Sequence, residues 1–490
     1  MVCFLIFGCG ECVNSNISRK LILCGSAQEG GKAVGADTIA AIATGLTDAG
    51  IGIIRISGEE AFSIILKIFK KKNGDDLDLK DSHRVHYGFI CDGEEKLDEV
   101  LVLVMKGPHS YTAEDTVEID CHGGVRVMRR ILELVIRQGA RAAEPGEFTK
   151  RAFLNGRIDL AQAEAVMDLI HAQNDYALKA SVSQLGGSVS RKIKYIREKI
   201  LYAMAFIESA LDDPEHISLE GYREQLKEEI LLMEGELSHL VDSFSNGRVM
   251  TEGIKTVILG KPNVGKSSLM NVLLGEERAI VTNIAGTTRD TLEERLSLGG
   301  ITLNVVDTAG IRDTQDVVEQ IGVDRAKQAA LDADLIIYVV DGSGDLDEND
   351  EEIMAFIRDK KALVLLNKTD LEMKVSFEEL EKKSGKKVIP VSAKEERGLD
   401  ELEEEIKKSF YGGELRFNDE VIITNVRQKT TLEAGLCSIR MVKQSIEEGL
   451  PEDFFSIDLM DAYKRLGTVI GEAVEDDLVN EIFHRFCMGK

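Results

Sequence analysis

The sequence predicts a multidomain protein of α/β and α class: an α+β domain first, then a phosphate-loop α/β domain with helical blocks on both sides. Three observations predict it. GKPNVGKSS lies between an apolar strand and an amphipathic helix, apolar residues recur three and four apart on both sides of it, and residues 37–155 carry several β-rich runs. A chain of 490 residues, 43% hydrophobic and 30% charged, is long enough for two to four cores.

Residues 1–36 are expected to be a disordered extension without a function of its own. They hold four of the eight cysteines, and the Cys9/Cys12 pair lacks the second pair or the histidines that a zinc site requires. No disulfide framework is expected. The opening segment lacks the basic start and long apolar stretch of a secretory signal, and no apolar run approaches the ~20 residues of a membrane helix, so a cytoplasmic chain without membrane contact is expected. The net charge of −26 repels phosphate backbones. A nucleic-acid partner therefore requires a local basic patch or another subunit.

Residues 37–155 read as an α+β domain, with β-rich stretches at 51–56, 84–90, 100–105 and 117–120 and a helix over 125–138. Cys121 and His122 of CHGG lack further ligands, and no metal is assigned there. Arg55, among apolar strand residues, and Glu118, in an alternating strand, are candidates for ligand contacts, because a buried charge needs a partner; a plain salt bridge is the other reading. Over 156–252, the stretches 160–170, 176–211 and 222–244 have helical periodicity.

The 253–412 segment carries the chemistry. In GKPNVGKSS, Gly260 and Gly265 let the backbone curl around a phosphate, Lys266 neutralises its charge, and the Ser267 hydroxyl can ligate Mg²⁺, while Asn263, Val264 and Ser268 complete the loop. Thr287 and Thr288 of GTTRD can contact the γ-phosphate and Mg²⁺. In DTAG, Asp307, Thr308, Ala309 and Gly310 follow a strand, with the carboxylate facing the metal's water shell. Asn367, Lys368 and Asp370 of NKTD select guanine, whose two N–H groups Asp370 can accept, and Ser392, Ala393 and Lys394 close the base pocket. Together these specify GTP on a Ras-like α/β domain. Ile311 stands where a water-orienting Gln would follow DTAG, which leaves Arg312, Asp313, Asp316 and Glu319 as polar alternatives.

Residues 413–490 are helical, over 425–447, 454–471 and 476–486. The two helical blocks either share one bundle with the GTPase inserted in it, because a compact domain with adjacent ends tolerates insertion, or form two bundles. The chain ends in FCMGK. Met488, Gly489 and Lys490 do not form a prenylation signal after Cys487, which leaves that thiol as a nucleophile, an acid–base group or a packed side chain.

These ordered motifs resemble one family, the tRNA modification GTPase MnmE (TrmE). The resemblance runs from DTIAAIAT and GIGIIRISG through GPHSYTAEDTVEIDCHGG and EPGEFTKRAFLNGRIDLAQAEAVMDLI to GKPNVGKSSLMN, AIVTNIAGTTRD, DTAGIRD, VEQIG and FCMGK, leaving residues 1–36 outside. It implies an N-terminal domain, 37–155, that dimerises and binds a tetrahydrofolate. It also implies a discontinuous helical domain, 156–252 with 413–490, and an inserted G domain, 253–412. Family folate contacts fall on Arg55, Glu118, Arg157 and Lys490, with 5-formyl- or methylene-tetrahydrofolate as ligand. Asn263, Thr282, Ile284 and Thr287 match a K⁺-binding set within a loop, Thr282 to Thr288, that also includes Asn283, Ala285 and Gly286. Glu319 matches a water-orienting glutamate. TGLTDAG at 44–50 departs from the family's TPPGRGG. The implied function is GTP-driven addition of a carboxymethylaminomethyl or aminomethyl group to C5 of the wobble uridine of certain tRNAs. The implied partners are a second copy of the chain and, in a heterotetramer, the FAD-dependent MnmG (GidA). A ribosome-assembly GTPase is the alternative, though its usual KH-type or second GTPase module is missing from the sequence.

Overall fold

A computed structural model describes residues 37–73, 75, 77, 79, 81–216, 218, 221–275, 293–306, 330–411, 421–472, 474, 476–484, 486 and 489. Two compact units result: the described residues up to Ser110 with Glu114–Ala143, and Tyr111–Ala113 with those from Glu144 onward.

The first unit contains β1 (Ile39–Ile42), β2 (Ala49–Ser57), α1 (Ala61–Ile68), β3 (Phe69–Lys71), β4 (Arg84–Asp92), β5 (Glu95–Met105), β6 (Thr116–Gly123), α2 (Val125–Arg137) and β7 (Arg141–Ala142). Its strands form one sheet in the order β3-β4-β5-β6-β2-β1-β7, antiparallel except for the β1–β7 pair. Alternation decides the faces. Ile54, Ile56, Val102 and Ile119 are buried with Ile64 and Ile131 of the two helices, whereas Ile51, Val85, Tyr87 and Leu101 on the opposite face stay exposed.

The second unit begins with α3 (Glu147–Leu154), α4 (Leu160–His171), α5 (Asp175–Leu185), α6 (Ser188–Asp212) and α7 (Tyr222–Glu252). The single helical stretch expected over 176–211 is two helices, because Gly187 takes a left-handed φ of +81° and breaks the ladder at Gly186–Gly187. In contrast, α7 runs past the expected 244 to Gly253, at φ +85°.

The α/β part follows: β8 (Ile254–Leu259), α8 (Lys266–Leu273), β9 (Glu293–Leu298), β10 (Ile301–Val306), β11 (Leu335–Asp341), α9 (Glu348–Ile357), β12 (Ala362–Asn367), α10 (Phe377–Ser384), β13 (Val388–Pro390) and α11 (Leu399–Tyr411). The sheet order is β13-β12-β11-β8-β10-β9, parallel except at β9. Its continuous apolar strands, such as LIIYVV of β11, are buried on both faces.

Last come α12 (Val426–Glu447), α13 (Glu452–Val469) and α14 (Asp476–His484). Ile193, Ile200 and Leu237 from before the α/β part share a core with Leu436, Leu459 and Leu466 from after it. The two helical blocks therefore form one bundle, interrupted by the α/β domain. At its edge, Val479, Phe483 and Phe486 pack on Ala152, Leu160 and Ala163, and Gly146 (φ +69°) is needed there because a Cβ would lie 2.5 Å from the Phe483 carbonyl oxygen.

Candidate functional site

The phosphate loop connects β8 to α8. Gly260 (φ +152°), Asn263 (φ +62°) and Gly265 (φ +100°) give the turn its curl. A Cβ on Gly260 would sit 2.5 Å from the Val339 carbonyl oxygen, and one on Gly265 would sit 2.2 Å from Asn367 Nδ2. Both glycines are therefore required by close approach as well as by φ. Lys266 opens α8 and folds back to donate from Nζ to the carbonyl oxygens of Gly260 and Lys261, both at 2.6 Å. Burial pushes its ammonium pKa down. A cation short of solvent beside a helix N-terminus favours an anion. Val264 is buried, while Asn263, Ser267 and Ser268 are exposed at the rim of the loop.

Asn367, at the end of β12, is buried and ties two loops together. Its Nδ2 donates to Val264 O at 2.8 Å, and its Oδ1 accepts from Ala393 N at 3.1 Å. Lys368 follows with a left-handed φ of +64° and donates from Nζ to Asp341 Oδ2 at 2.6 Å. Burial raises the Asp341 carboxyl pKa, but Lys368 and Ser343 outweigh it, and the net shift is downward. Ser392 is buried and donates to Asp370 Oδ1 at 2.8 Å, which orients that half-buried carboxylate. Lys394 is exposed. The phosphate loop and the NKTD and SAK segments thus converge on one end of the parallel sheet, beyond the carboxyl ends of its strands.

A second network was not anticipated. Lys261 Nζ reaches Asp350 Oδ2 at 2.6 Å and Asp347 Oδ2 at 3.0 Å at the start of α9, and the buried Tyr338 hydroxyl of β11 donates to Asp350 Oδ1 at 2.6 Å. The chain signal for it is LDEND, a capping pattern in which Asp347 and Asp350 cap α9 reciprocally.

In the first unit, Arg55 Nε donates to Glu118 Oε1 at 2.7 Å across the β2–β6 register, on the sheet face opposite the helices. Asp120 shares that face, and burial, with the nearby Glu118 charge, raises its carboxyl pKa. In the second unit, Arg157 is exposed and its guanidinium lies 4.9 Å from the centre of the Tyr111 ring, whose hydroxyl meets Thr149 at 2.8 Å. In the 44–50 segment, the Thr44 hydroxyl accepts from Ile53 N at 3.2 Å.

Several expected site residues lie outside the described residues: Thr282, Asn283, Ile284, Ala285, Gly286, Thr287, Thr288, Asp307, Thr308, Ala309, Gly310, Glu319, Cys487 and Lys490. No helix among the described residues is long and apolar enough to cross a membrane.

Comparison with known proteins gives a consistent picture. The family profile "MnmE helical domain" matches residues 160–487, and "GTP-binding protein TrmE N-terminus" matches residues 38–157. The tRNA modification GTPase MnmE of Lachnoclostridium phytofermentans is 56% identical over 455 residues, 93% of this chain and 99% of that protein. Its namesakes in Alkaliphilus oremlandii and Clostridioides difficile are 50% and 46% identical, each over 93% of this chain and 99% of their own length.

Proposed function

Because the chain belongs to the MnmE family of tRNA modification GTPases, we propose that it hydrolyses GTP as one subunit of the complex that adds a carboxymethylaminomethyl or aminomethyl group to C5 of the wobble uridine of certain tRNAs. The observation that carries this reading is the family likeness across 93% of the chain. The joined loops around Asn367 support a guanine nucleotide in particular, since they hold the phosphate loop and the base pocket in one register.

Within that reading each residue has a task. The N–H groups of Asn263 to Ser268 surround the phosphates, Lys266 exchanges its two loop carbonyls for phosphate oxygens, and Asp370 accepts from guanine while Ser392 holds its other oxygen. Ser267 and Thr288 would ligate Mg²⁺, and Asn263, Thr282, Ile284 and Thr287 would ligate K⁺; exposed oxygens on Ser267 and Asn263 suit such hard cations. When bound, the two ions supply fixed positive charge beside the charge that develops on the transferred phosphoryl group, the part an arginine finger plays elsewhere. Glu319 orients the attacking water, the task that Ile311 cannot perform.

Arg55 and Glu118 in one unit, with Arg157 and Lys490, would contact a 5-formyl- or methylene-tetrahydrofolate that donates one carbon. The exposed Ile51, Val85, Tyr87 and Leu101 support a homodimer, because an apolar sheet face is normally covered. The partner in the heterotetramer is the FAD-dependent MnmG, and Cys487 takes part in the uridine chemistry. Mass spectrometry of tRNA nucleosides from a deletion strain tests the whole reading: the C5-modified wobble uridine should vanish, and unchanged nucleosides would overturn it. Replacing Na⁺ by K⁺ should accelerate GTP turnover, and equal rates in the two salts would remove the potassium assignment.

A further inference from the structure

We propose that the outward face of α6 is an RNA-binding surface of this chain, contacting the phosphodiester backbone of the tRNA. The inference rests on the reading that the protein acts on tRNA, and it locates where an acidic chain meets that polyanion. Residues 191–200, RKIKYIREKI, hold five cations and one carboxylate, in a chain whose net charge is −26.

The helix sorts them by face. Val189, Ile193, Ile196, Ile200, Ala203 and Ile207 are buried in the bundle core. Arg191, Lys194, Tyr195, Lys199 and Tyr202 recur three and four apart on the opposite side and form one outward stripe, with Glu198 the only carboxylate of α6 on it. Two of the five cations are already neutralised: Arg197 is buried with Glu472 at 2.6 Å, and Lys192 pairs with Glu236 at 2.9 Å. Arg191, Lys194 and Lys199 make no ion pair with a described carboxylate; Lys194 is exposed, Arg191 is exposed and donates from Nη1 to Gly186 O at 2.6 Å, and Lys199 is half-buried beside Tyr195.

The aromatics on the stripe point to nucleic acid rather than to any anion. The Tyr195 ring is flanked by Lys192 Nζ at 5.6 Å and Lys199 Nζ at 4.6 Å, yet is 45% exposed, and Tyr202 one turn beyond Lys199 is 64% exposed. Ammonium groups spaced along a helix meet successive phosphates, while an exposed ring offers a face to an unstacked base. An anionic membrane is less suited, because the apolar side of α6 is committed to the bundle core.

The test compares tRNA binding by the full complex with its flavoprotein partner, for the unaltered chain, Arg191→Gln/Lys194→Gln, and Tyr202→Ala, across 50–200 mM KCl. The double variant should flatten the slope of log K against log [KCl] by about 2. Its defect should therefore be about tenfold larger at 50 mM than at 200 mM. Tyr202→Ala should weaken binding without changing the slope, and GTP turnover measured without tRNA should be unchanged in both. Variants that melt normally and bind tRNA with unaltered affinity and slope would overturn the surface alone. An unaltered complex that binds no tRNA would overturn the functional reading and this surface with it.

Discussion

Lys261 acts through two different atoms. Its carbonyl oxygen receives the Lys266 ammonium, while its own ammonium is fixed by Asp350 at 2.6 Å and Asp347 at 3.0 Å. Desolvation lowers the Lys261 pKa, but the two carboxylates outweigh it and the net shift is upward. Lys261→Met would strand the buried Asp350 carboxylate with only the Tyr338 hydroxyl and the Asp347 N–H as donors, at a cost of about 2–3 kcal/mol. It should also raise the KM for GTP, because the carbonyl that positions Lys266 loses its anchor. Adding Asp350→Asn should return part of the stability, and urea denaturation of both single variants and the double variant reads that coupling directly. Additive losses would mean that the pair is only a surface contact. Asp168 behaves oppositely. Burial, against a hydrogen bond from the Thr424 hydroxyl at 2.9 Å, raises its carboxyl pKa. A raised acid pKa means that the folded state binds the proton more tightly, so stability is lost as pH rises through that pKa. Asp168→Asn should accordingly melt higher than the parent at pH 8, with the gap closing as the pH is lowered; a constant gap would exclude this origin.

At the level of elements, Gly247 sits inside α7 where a helix would prefer another residue. A Cβ there would lie 2.0 Å from the Ile423 carbonyl oxygen, and that connector is fixed by Ile423 N donating to Ser243 Oγ at 3.1 Å. Gly247→Ala gains ~1 kcal/mol of helix propensity but forces the connector aside at roughly 1–3 kcal/mol. A lowered urea midpoint is expected, and a raised one would show that the connector moves freely. The same region shows what the sequence could reveal. The strands at 51–56, 84–90, 100–105 and 117–120 and helices α2, α4 and α12 were legible, because period-2 and period-3.6 patterns are local properties. The break between α5 and α6 was missed because periodicity continues across Gly186–Gly187, and the length of α7 was missed because the apolar spacing lapses over SNGR at 245–248. The phosphate loop and NKTD were legible because their chemistry is fixed by spacing along the chain. Lys261 with Asp350 was not, since the partners are 89 residues apart and meet only when β8 and β11 are neighbours.

Across the whole second unit, the α/β domain leaves and re-enters the bundle at adjacent points. Thr251 and Glu252 on the way out, and Thr424 and Asn425 on the way back, line one cavity of about 340 Å³, and Gln184 Nε2 holds the returning segment through Ile422 O at 2.8 Å and Thr424 Oγ1 at 2.9 Å. The bundle needs both flanks for its core and meets the insertion at its rim, through Asn174 Nδ2 to Thr302 Oγ1 at 3.1 Å, Arg248 to Asp334 at 2.5 Å, and Val249 and Met250 at the end of α7, which are buried in the α/β core. Closing the gap with a short Gly/Ser linker in place of residues 254–420 brings together ends that are already close, and loop-closure cost rises only slowly with length. Removing everything after 412 strips Leu432, Leu436, Ile439, Val442, Leu459 and Leu466 from the core, where each large-to-nothing loss costs on the order of 2–5 kcal/mol. The two deletions should therefore differ sharply in hydrogen exchange followed by mass spectrometry. Amides of α6 and α7 should stay protected in the linker variant and exchange within the dead time in the truncated one. Equal protection in both would show that the first four bundle helices hold together without the last three.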